Sequence, residues 1–248
     1  MTAFEHRFAR AQATEVVDLG WGFAVLQAEF PLSHDHNRIV VTSTAPATDV
    51  ISAADEILGA ASVQHRYVSV DTDALGQSLR AELEAAGYEH ETIVRMIYSG
   101  PNLEPAAHEV RAVSLDTLRP AMIRDWRVTL PDATDELLGQ LARRTALYAR
   151  GAEVTLLAVY HGDEIAAHAD LCVDRVERIA QLENVVTHNH FRRRGYGDAL
   201  TRDALRRARS AGTDLLFLTA NLDDWPHGWY QRLGYADAGR THHFVRAG

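Results

Sequence analysis

The chain has 248 residues, of which 46% are hydrophobic, and its formal net charge is −9. This length allows one large domain or two small ones, each with its own core. No run of about 18 apolar residues occurs, so no membrane span is expected, and the N-terminal sequence lacks the apolar centre of a signal peptide. Because Cys172 is the single cysteine, an internal disulfide is excluded. We therefore expect a soluble cytoplasmic protein.

The basic residues are unevenly distributed along the chain. All 25 are arginines; residues 1–107 contain 15 acidic residues and 6 arginines, whereas residues 108–248 contain 19 of each. Neither half has the bulk positive charge of a protein that binds nucleic acid. The three adjacent arginines at 192–194 are therefore a local feature that needs a local explanation.

The first half alternates predicted strands and helices. Strands are expected over residues 21–30, 38–43, 66–70 and 90–98. Helices are expected over residues 47–61, capped by Asp49, and over residues 74–88, where Gly87 is in the position of a left-handed C-cap. Gly100, Pro101 and Pro105 then interrupt the apolar pattern. We predict an N-terminal domain over residues 1–100, a linker over 101–107 and a second domain over 108–248.

The second half has the same kinds of elements. Its predicted strands are 108–114, a hairpin over 154–174 that turns at Gly162–Asp163, 178–188, 214–220 and 241–246. Its predicted helices are 116–130, 132–149, 197–212 and 226–235. The pattern predicts an α/β fold (an α+β mixed sheet) with helices on both faces of the sheet in each half. Both halves end in a helix, Gly-Tyr and a strand, and this weak repeat suggests a duplicated domain.

The arginines lie in a strand–turn–helix segment with the spacing R-x-x-G-x-G, formed by Arg192, Gly195 and Gly197. The first amides of a helix have no partners within it, and the helix dipole adds partial positive charge there. Glycine allows the backbone to approach a ligand closely, and arginine adds bidentate donors. The common lysine-containing phosphate loop is excluded because the chain has no lysine. This segment therefore predicts a pyrophosphate site.

The loop, with "ENVVTH" before it and a helix after it, resembles the acyl-CoA loop of the GNAT superfamily of N-acetyltransferases. The later segment "TANLDDWPHGWYQRLGY" resembles the other hallmark of that family, an Asn after a strand and a Tyr in a short helix before Leu-Gly-Tyr. The resemblance runs from His108 to the end. The N-terminal half resembles, more weakly, the degenerate first domain of two-domain bacterial members, which implies tandem GNAT-like acyl-CoA N-acyltransferase folds.

The resemblance also implies which residues contact acetyl-CoA, the expected co-substrate. The strand before the loop would pair with the pantetheine arm, the loop amides would bind the pyrophosphate, and an Asn would touch the cofactor. Arginines of the following helix could reach the 3′-phosphate, although a solvated helix face explains them equally well. The positions are Val185, Val186 and Thr187 in the strand, Arg192, Arg193, Arg194, Gly195, Tyr196, Gly197 and Asp198 in the loop, Asn221, and Arg202, Arg206 and Arg209 in the helix.

Two further residues match positions that carry the chemistry in the family. Tyr230 would protonate the leaving thiolate, and Glu183 would take the proton of the amine, with His188 as the alternative base. The competing interpretations are a salt-bridged or exposed Glu183, and a Tyr230 that belongs to an aromatic core with Trp225, Trp229 and Tyr235. A covalent nucleophile is not expected, since Cys172 lies in the middle of a strand.

These inferences predict an acetyl-CoA-dependent N-acetyltransferase that moves an acetyl group directly to a primary amine. No metal, nucleic acid or membrane is expected, and a homodimer remains open. Acidic residues at 132, 135 and 136 could attract a cationic amine. Two alternatives from other classes are a non-catalytic acyl-CoA-binding or regulatory protein and a nucleic-acid-binding module. His34 and His36 could share a metal, but no third ligand is evident.

Overall fold

A computed structural model describes residues 1–101 and 104–248. The chain forms two compact units built from interleaved segments. The first unit contains Thr2–Met96, Thr219–Trp229 and Asp237–Gly248, and the second contains Ile97–Leu218 and Tyr230–Ala236 together with Met1. The domain boundaries predicted in chain order, at 1–100, 101–107 and 108–248, stay a prediction.

The first unit is a mixed sheet with helices. Its strands lie in the order β1-β2-β3-β4-β11-β5, so that the last strand of the chain lies beside β4. β3 and β4 are parallel, whereas β1–β2, β2–β3 and β4–β11 are antiparallel. The elements are α1 (Thr2–Gln12), β1 (Glu15–Asp18), β2 (Gly22–Leu26), β3 (Arg38–Val41), α2 (Ala47–Ala53) with a π-helical turn (Ala54–Leu58), β4 (His65–Val70), α3 (Asp73–Ala85), β5 (Glu89–Tyr98) and β11 (Tyr235–Ala247).

The second unit repeats this plan, with strand order β10-β9-β8-β7-β6. β6 to β9 are antiparallel neighbours, and β9 and β10 are parallel. The elements that lie wholly or partly in this unit are β6 (Arg111–Val113), α4 (Leu115–Thr129), α5 (Asp135–Arg143), a 3-10 segment (Arg144–Arg150), β7 (Glu153–His161), β8 (Glu164–Asp174), β9 (Ile179–Thr187), α6 (Tyr196–Ser210), β10 (Leu215–Asn221) and α7 (Trp225–Arg232); the end of β10 and the start of α7 belong to the first unit. The predicted α/β class with a mixed sheet is confirmed.

Capping and apolar packing explain why these segments are helical. Thr72, Ser114 and Thr134 cap α3, α4 and α5 by accepting hydrogen bonds from backbone amides of the first turn. The buried face of α4 packs on the sheet of its unit, where Leu118 and Met122 share a core with residues of β7 and β8. This packing holds α4 over the part of β8 and β9 that contains the polar residues described below.

Several details differ from the expectations. Pro46, not Asp49, occupies the N-cap of α2; Asp49 lies in the first turn, where its carboxylate still interacts favourably with the helix dipole. The polar sequence of α1 and the short β1 gave no apolar period strong enough to predict them. The helix expected over residues 132–149 changes to 3-10 geometry after Arg143.

The repeated Gly-Tyr endings adopt one conformation in both units. Gly87 follows α3 with a φ of 87°, and Gly234 follows α7 with a φ of 96°. Both values lie in the left-handed region that glycine enters without steric cost. The shared conformation supports the interpretation of the chain as a duplicated fold. Among the helices of the described residues, none is long and apolar enough to cross a membrane.

Candidate active site

The edge of β9 is open along its second half. β9 and β10 pair in parallel only where Ile179–Gln181 faces Leu215–Phe217. β9 continues to Thr187, and within the described residues no further register joins the two strands. The predicted pantetheine residues Val185, Val186 and Thr187 lie in this stretch and are half-buried. An open strand edge of this kind can accept an extended ligand through backbone hydrogen bonds.

A β-bulge lies at the start of the open stretch. Asp170 of β8 pairs with Glu183, and His168 pairs with Val186, so that two residues of β9 face one residue of β8. The first of the two, Asn184, has a φ of 51°, which is in the left-handed region. Non-glycine residues are uncommon there, and Asn is among the types that tolerate it.

The loop between β9 and α6 presents a row of backbone amides. Gly195 is the N-cap of α6 with a φ of 82°, and no side chain caps the helix there. The first helical bond is donated by the amide of Ala199 to the carbonyl of Gly195, at 3.0 Å. For the amides from Arg193 to Asp198, the described part of the chain offers no acceptor within hydrogen-bonding distance. Such a concave row of N–H groups at a helix start binds anions.

Two histidines fix this loop. His108 donates from Nε2 to the carbonyl of Arg194 at 2.8 Å, and Nδ1 of His161 lies 2.8 Å from the buried Tyr196 hydroxyl. The predicted loop arginines are exposed, and Arg192 also donates to the carbonyl of Thr187 at 3.3 Å. The loop is therefore held in place by side chains on both sides while its amides face outward.

The arginines of α6 have partners within the unit. Arg202 pairs with Asp198 at 2.6 Å, and Arg206 pairs with Asp203. The Arg209 guanidinium lies 5.7 Å from the centroid of the Tyr98 ring. These contacts fit the interpretation of a solvated helix face, and a role at the 3′-phosphate stays a prediction.

The proposed acid and base, Tyr230 and Glu183, influence each other electrostatically. Tyr230 is 6% exposed, and its ring centroid is 5.7 Å from that of Tyr235 in a T-shaped contact. Burial raises the pKa of the Tyr230 phenol well above its usual range, and the negative charge of Glu183 raises it further. Glu183 is half-buried and accepts a hydrogen bond from the side-chain amide of Gln181. Tyr230 is thus both a member of an aromatic cluster, as in the competing interpretation, and a neighbour of Glu183.

Asn221 belongs to the first unit and ends β10. Its side-chain oxygen accepts a hydrogen bond from the backbone amide of Asp223 at 3.0 Å. This is the turn-forming contact expected of an Asn that follows a strand. The predicted contact of Asn221 with the cofactor stays a prediction.

A buried carboxylate pairs with the alternative base. Asp125 of α4 is 8% exposed; its Oδ1 lies 2.6 Å from Nδ1 of His188, and its Oδ2 lies 3.3 Å from Nε2 of His168. Burial would raise the pKa of Asp125, but the close donors of His168, Arg124 and His188 together lower it. An ionised carboxylate can only accept, so His188 must donate from Nδ1, which leaves Nε2 as the acceptor of a neutral imidazole. A general base needs this orientation.

A second buried acid, Asp170, was missed by the sequence reasoning. It is fully buried, and burial raises its pKa to about 6. Its Oδ2 accepts from Nδ2 of Asn184 at 2.6 Å, and its Oδ1 has no hydrogen-bond partner among the described residues. The signal was present in the sequence: His168 and Asp170 interrupt an apolar strand at alternate positions, which places both on one face.

The other candidate residues have contacts of their own. The His34 ring is tilted against the His65 ring with 3.9 Å between the ring centroids, whereas His36 forms hydrogen bonds with Ser33 and Gln12. Within residues 1–101 and 104–248, no three His, Cys, Asp or Glu side chains are grouped as a metal site requires. The acidic residues proposed to attract an amine are exposed, and one of them, Asp135, pairs with Arg127.

Comparisons with known proteins identify the fold. A solved structure of a conserved protein of unknown function from Staphylococcus epidermidis has a TM-score of 0.76 at 12% identity and covers 95% of this chain and 94% of its own. A GCN5-related N-acetyltransferase from Kribbella flavida has a TM-score of 0.64 at 17% identity, covering 100% and 95%. A tandem GNAT protein from the clavulanic acid biosynthesis pathway has a TM-score of 0.55 at 15% identity, covering 81% and 68%. At these identities the likeness shows the fold alone.

Sequence comparisons identify the family of the segment that carries the site. The uncharacterized N-acetyltransferase CgeE of Bacillus subtilis (strain 168) is 28% identical over 95 residues, and the match spans only 37% of that relative and 37% of this chain. Residues 115–235 match the model of the acetyltransferase (GNAT) family. That segment includes the open edge of β9, the amide-rich loop and Tyr230. By its sequence, the segment of residues 115–235 therefore belongs to the acetyltransferase (GNAT) family.

Proposed function

We propose that this protein is an acetyl-CoA-dependent N-acetyltransferase that transfers the acetyl group directly to a primary amine. The observation that carries the proposal is the row of amides from Arg193 to Asp198, which lies immediately after an open strand edge. One feature is suited to a pyrophosphate and the other to the amide groups of a pantetheine arm. The two are adjacent in the chain, as a single ligand that has both groups would require.

The residues fit acetyl-CoA without a metal to neutralise the phosphates. The amides and the positive end of the α6 dipole would bind the pyrophosphate, and the exposed arginines of the loop would add charge. Val185, Val186 and Thr187 would pair with the pantetheine arm through their backbones. The thioester would then lie along β9 toward Glu183, whose charge acts on Tyr230.

The reaction needs two proton transfers. The nitrogen of the neutral amine attacks the thioester carbonyl, forming a C–N bond while the carbonyl electrons move to oxygen. Collapse of this tetrahedral intermediate breaks the C–S bond, and the thiolate leaves with a proton donated by Tyr230. The proton lost by the amine passes to Glu183 or, in the alternative, to Nε2 of His188. General acid or base groups of this kind typically contribute about 10²–10⁴ in rate.

The two candidate bases are expected to separate in pH profiles. Glu183→Gln removes the proton acceptor and keeps the size of the side chain, so the acidic limb of kcat/KM should disappear or shift and activity should recover partly at high pH, where more amine is already neutral. His188→Gln should leave that limb in place. The reverse pattern, with an unchanged profile for Glu183→Gln and a lost limb for His188→Gln, would assign the base to His188.

Each chain is expected to bind one acetyl-CoA. In the first unit the connection from β3 to α2 contains no glycine and begins α2 at Pro46. The amides of Thr42 and Ser43 already donate to the carbonyl of Trp21 at 3.1 and 3.0 Å. This connection therefore lacks a comparable row of amides. Calorimetry should give a stoichiometry near one; a value near two would show that the first unit also binds.

The proposed function is tested by incubating the protein with acetyl-CoA and a panel of primary amines while a thiol reagent detects released CoA. The panel should include small amines, polyamines, amino acids and a peptide with a free N-terminus. We expect amine-dependent thiol release with at least one class. Acetyl-CoA binding without turnover on any amine would instead support the non-catalytic acyl-CoA-binding alternative.

A further inference from the structure

The bulge in β9 decides which residues of the open stretch lie on which face of the sheet. Directly opposite residues of antiparallel strands share a face, so Val186 shares the face of His168, as Glu183 shares that of Asp170. His168 and Asp170 are two apart and lie on one face. Without the extra residue, Val185 rather than Val186 would share the face of Glu183, and each backbone group beyond the bulge would point to the opposite edge.

Asn184 makes this bulge in a conformation that is unfavourable for a side chain. Its φ of 51° is in the left-handed region, which costs an ordinary residue free energy relative to glycine. Its side-chain amide donates to Oδ2 of Asp170 at 2.6 Å and lies 3.4 Å from the Tyr148 hydroxyl. The hydrogen bond between the two strands therefore offsets the free-energy cost of the left-handed φ at Asn184, where the bulge switches the faces of the β9 residues that follow.

A carboxylate at the position of Asp170 is unfavourable for stability, which suggests that this residue has a function other than packing. It is fully buried, and its Oδ1 has no hydrogen-bond partner in the part of the chain that the structure describes, although a buried carboxylate loses its hydration. An apolar side chain of similar size is often no less stable at such a site. The one strong contact of the carboxylate is the hydrogen bond from Asn184.

We propose that Asp170 is a positioning residue which, by holding Asn184 in its left-handed conformation, fixes the bulge that puts Val186 rather than Val185 on the face of Glu183 and sets the backbone groups that Val185 and Val186 present to acetyl-CoA. This inference rests on the proposed function. The burial of Asp170 and its bond to Asn184 distinguish it from a residue that meets the amine directly.

Two pairs of variants test the proposal. Asn184→Ala loses the hydrogen bond and retains the unfavourable φ, whereas Asn184→Gly loses the same bond and adopts that φ without cost. Asp170→Leu removes the acceptor, whereas Asp170→Asn keeps an oxygen for Asn184. We expect kcat/KM for acetyl-CoA to be about tenfold lower in Asn184→Ala than in Asn184→Gly, and about tenfold lower in Asp170→Leu than in Asp170→Asn. This factor matches the free-energy cost of a non-glycine residue in the left-handed region. Asp170→Asn should keep the wild-type pH profile.

A second readout needs neither acetyl-CoA nor an acceptor. Amide hydrogen exchange over residues 183–187 should accelerate in Asn184→Ala and Asp170→Leu and stay near wild type in Asp170→Asn. Equal exchange in all four variants would overturn the proposal, even if the wild type shows no turnover and the proposed function itself fails. The proposal would also be wrong if Asp170→Asn lost as much activity as Asp170→Leu while amide hydrogen exchange stayed unchanged. That result would indicate that Asp170 is itself a reacting group.

Discussion

Gly197→Glu is expected to abolish acetyl-CoA binding while the fold stays intact. Gly197 is the second residue of α6 and lies within the row of unpaired amides. A carboxylate there would compete with the pyrophosphate for these donors and repel it. Hydrogen bonds to charged groups contribute about 1.5–3 kcal/mol each, so the loss of two should weaken binding by at least about 100-fold. Calorimetry measures the affinity, and circular dichroism checks the fold.

The matched control places the same charge at the other end of the same helix. Ser210 is the last residue of α6 and is exposed. Ser210→Glu is therefore expected to keep acetyl-CoA affinity close to that of the wild type. If a folded Gly197→Glu variant binds as tightly as Ser210→Glu, the phosphates bind elsewhere and the assignment of the loop is wrong.

Tyr230→Phe is expected to lower kcat by up to about 10²–10⁴ while acetyl-CoA affinity changes little, because it removes only the hydroxyl proposed to protonate the thiolate. Burial and the charge of Glu183 raise the pKa of this phenol, so the hydroxyl keeps its proton over the whole practical pH range. The variant should therefore lower the rate without moving either limb of the pH profile. Steady-state kinetics over a range of roughly pH 6 to 9 measure both the rate and the limbs of the pH profile.

Tyr235→Phe is the control for that variant. Tyr235 lies in the same aromatic cluster and is 3% exposed, and its hydroxyl has no hydrogen-bond partner within residues 1–101 and 104–248. Removing this hydroxyl should leave kcat near wild type and cost no stability. Full activity of Tyr230→Phe, equal to that of Tyr235→Phe, would place Tyr230 in the core alone and leave the thiolate to take its proton from water.

The strand–loop–helix geometry between β9 and α6 could be predicted because it depends on local sequence. The spacing of Arg192, Gly195 and Gly197 between a strand and a helix is visible in a short stretch of sequence, and Gly195 adopts a left-handed conformation that glycine enters without steric cost. The elements around it also follow from apolar period and turn residues. Gly87 is an example, since it ends α3 in the conformation that its position required.

Features that depend on contacts distant in the chain could not be predicted in this way. The pairing of β11 with β4 joins residues near 240 to residues near 68, and no local pattern encodes it. The hydrogen bond from His108 to the carbonyl of Arg194 and the contact between Asp125 and His188 also join distant parts of the chain, so no local pattern predicts them. The bulge at Asn184 has no glycine to signal it, because a hydrogen bond that the Asn184 side chain donates to a residue of another strand supports the conformation.

The most direct test of the central claim follows the acetyl group itself. Wild-type protein is incubated with acetyl-CoA that has an isotopically labelled acetyl group and with an amine that gives thiol release, and the products are analysed by mass spectrometry. Direct transfer at the β9–α6 site predicts the label on the amine nitrogen in an amount equal to the CoA released, and no labelled amine with Gly197→Glu. Label found only in free acetate, or labelled amine formed equally by Gly197→Glu, would contradict it.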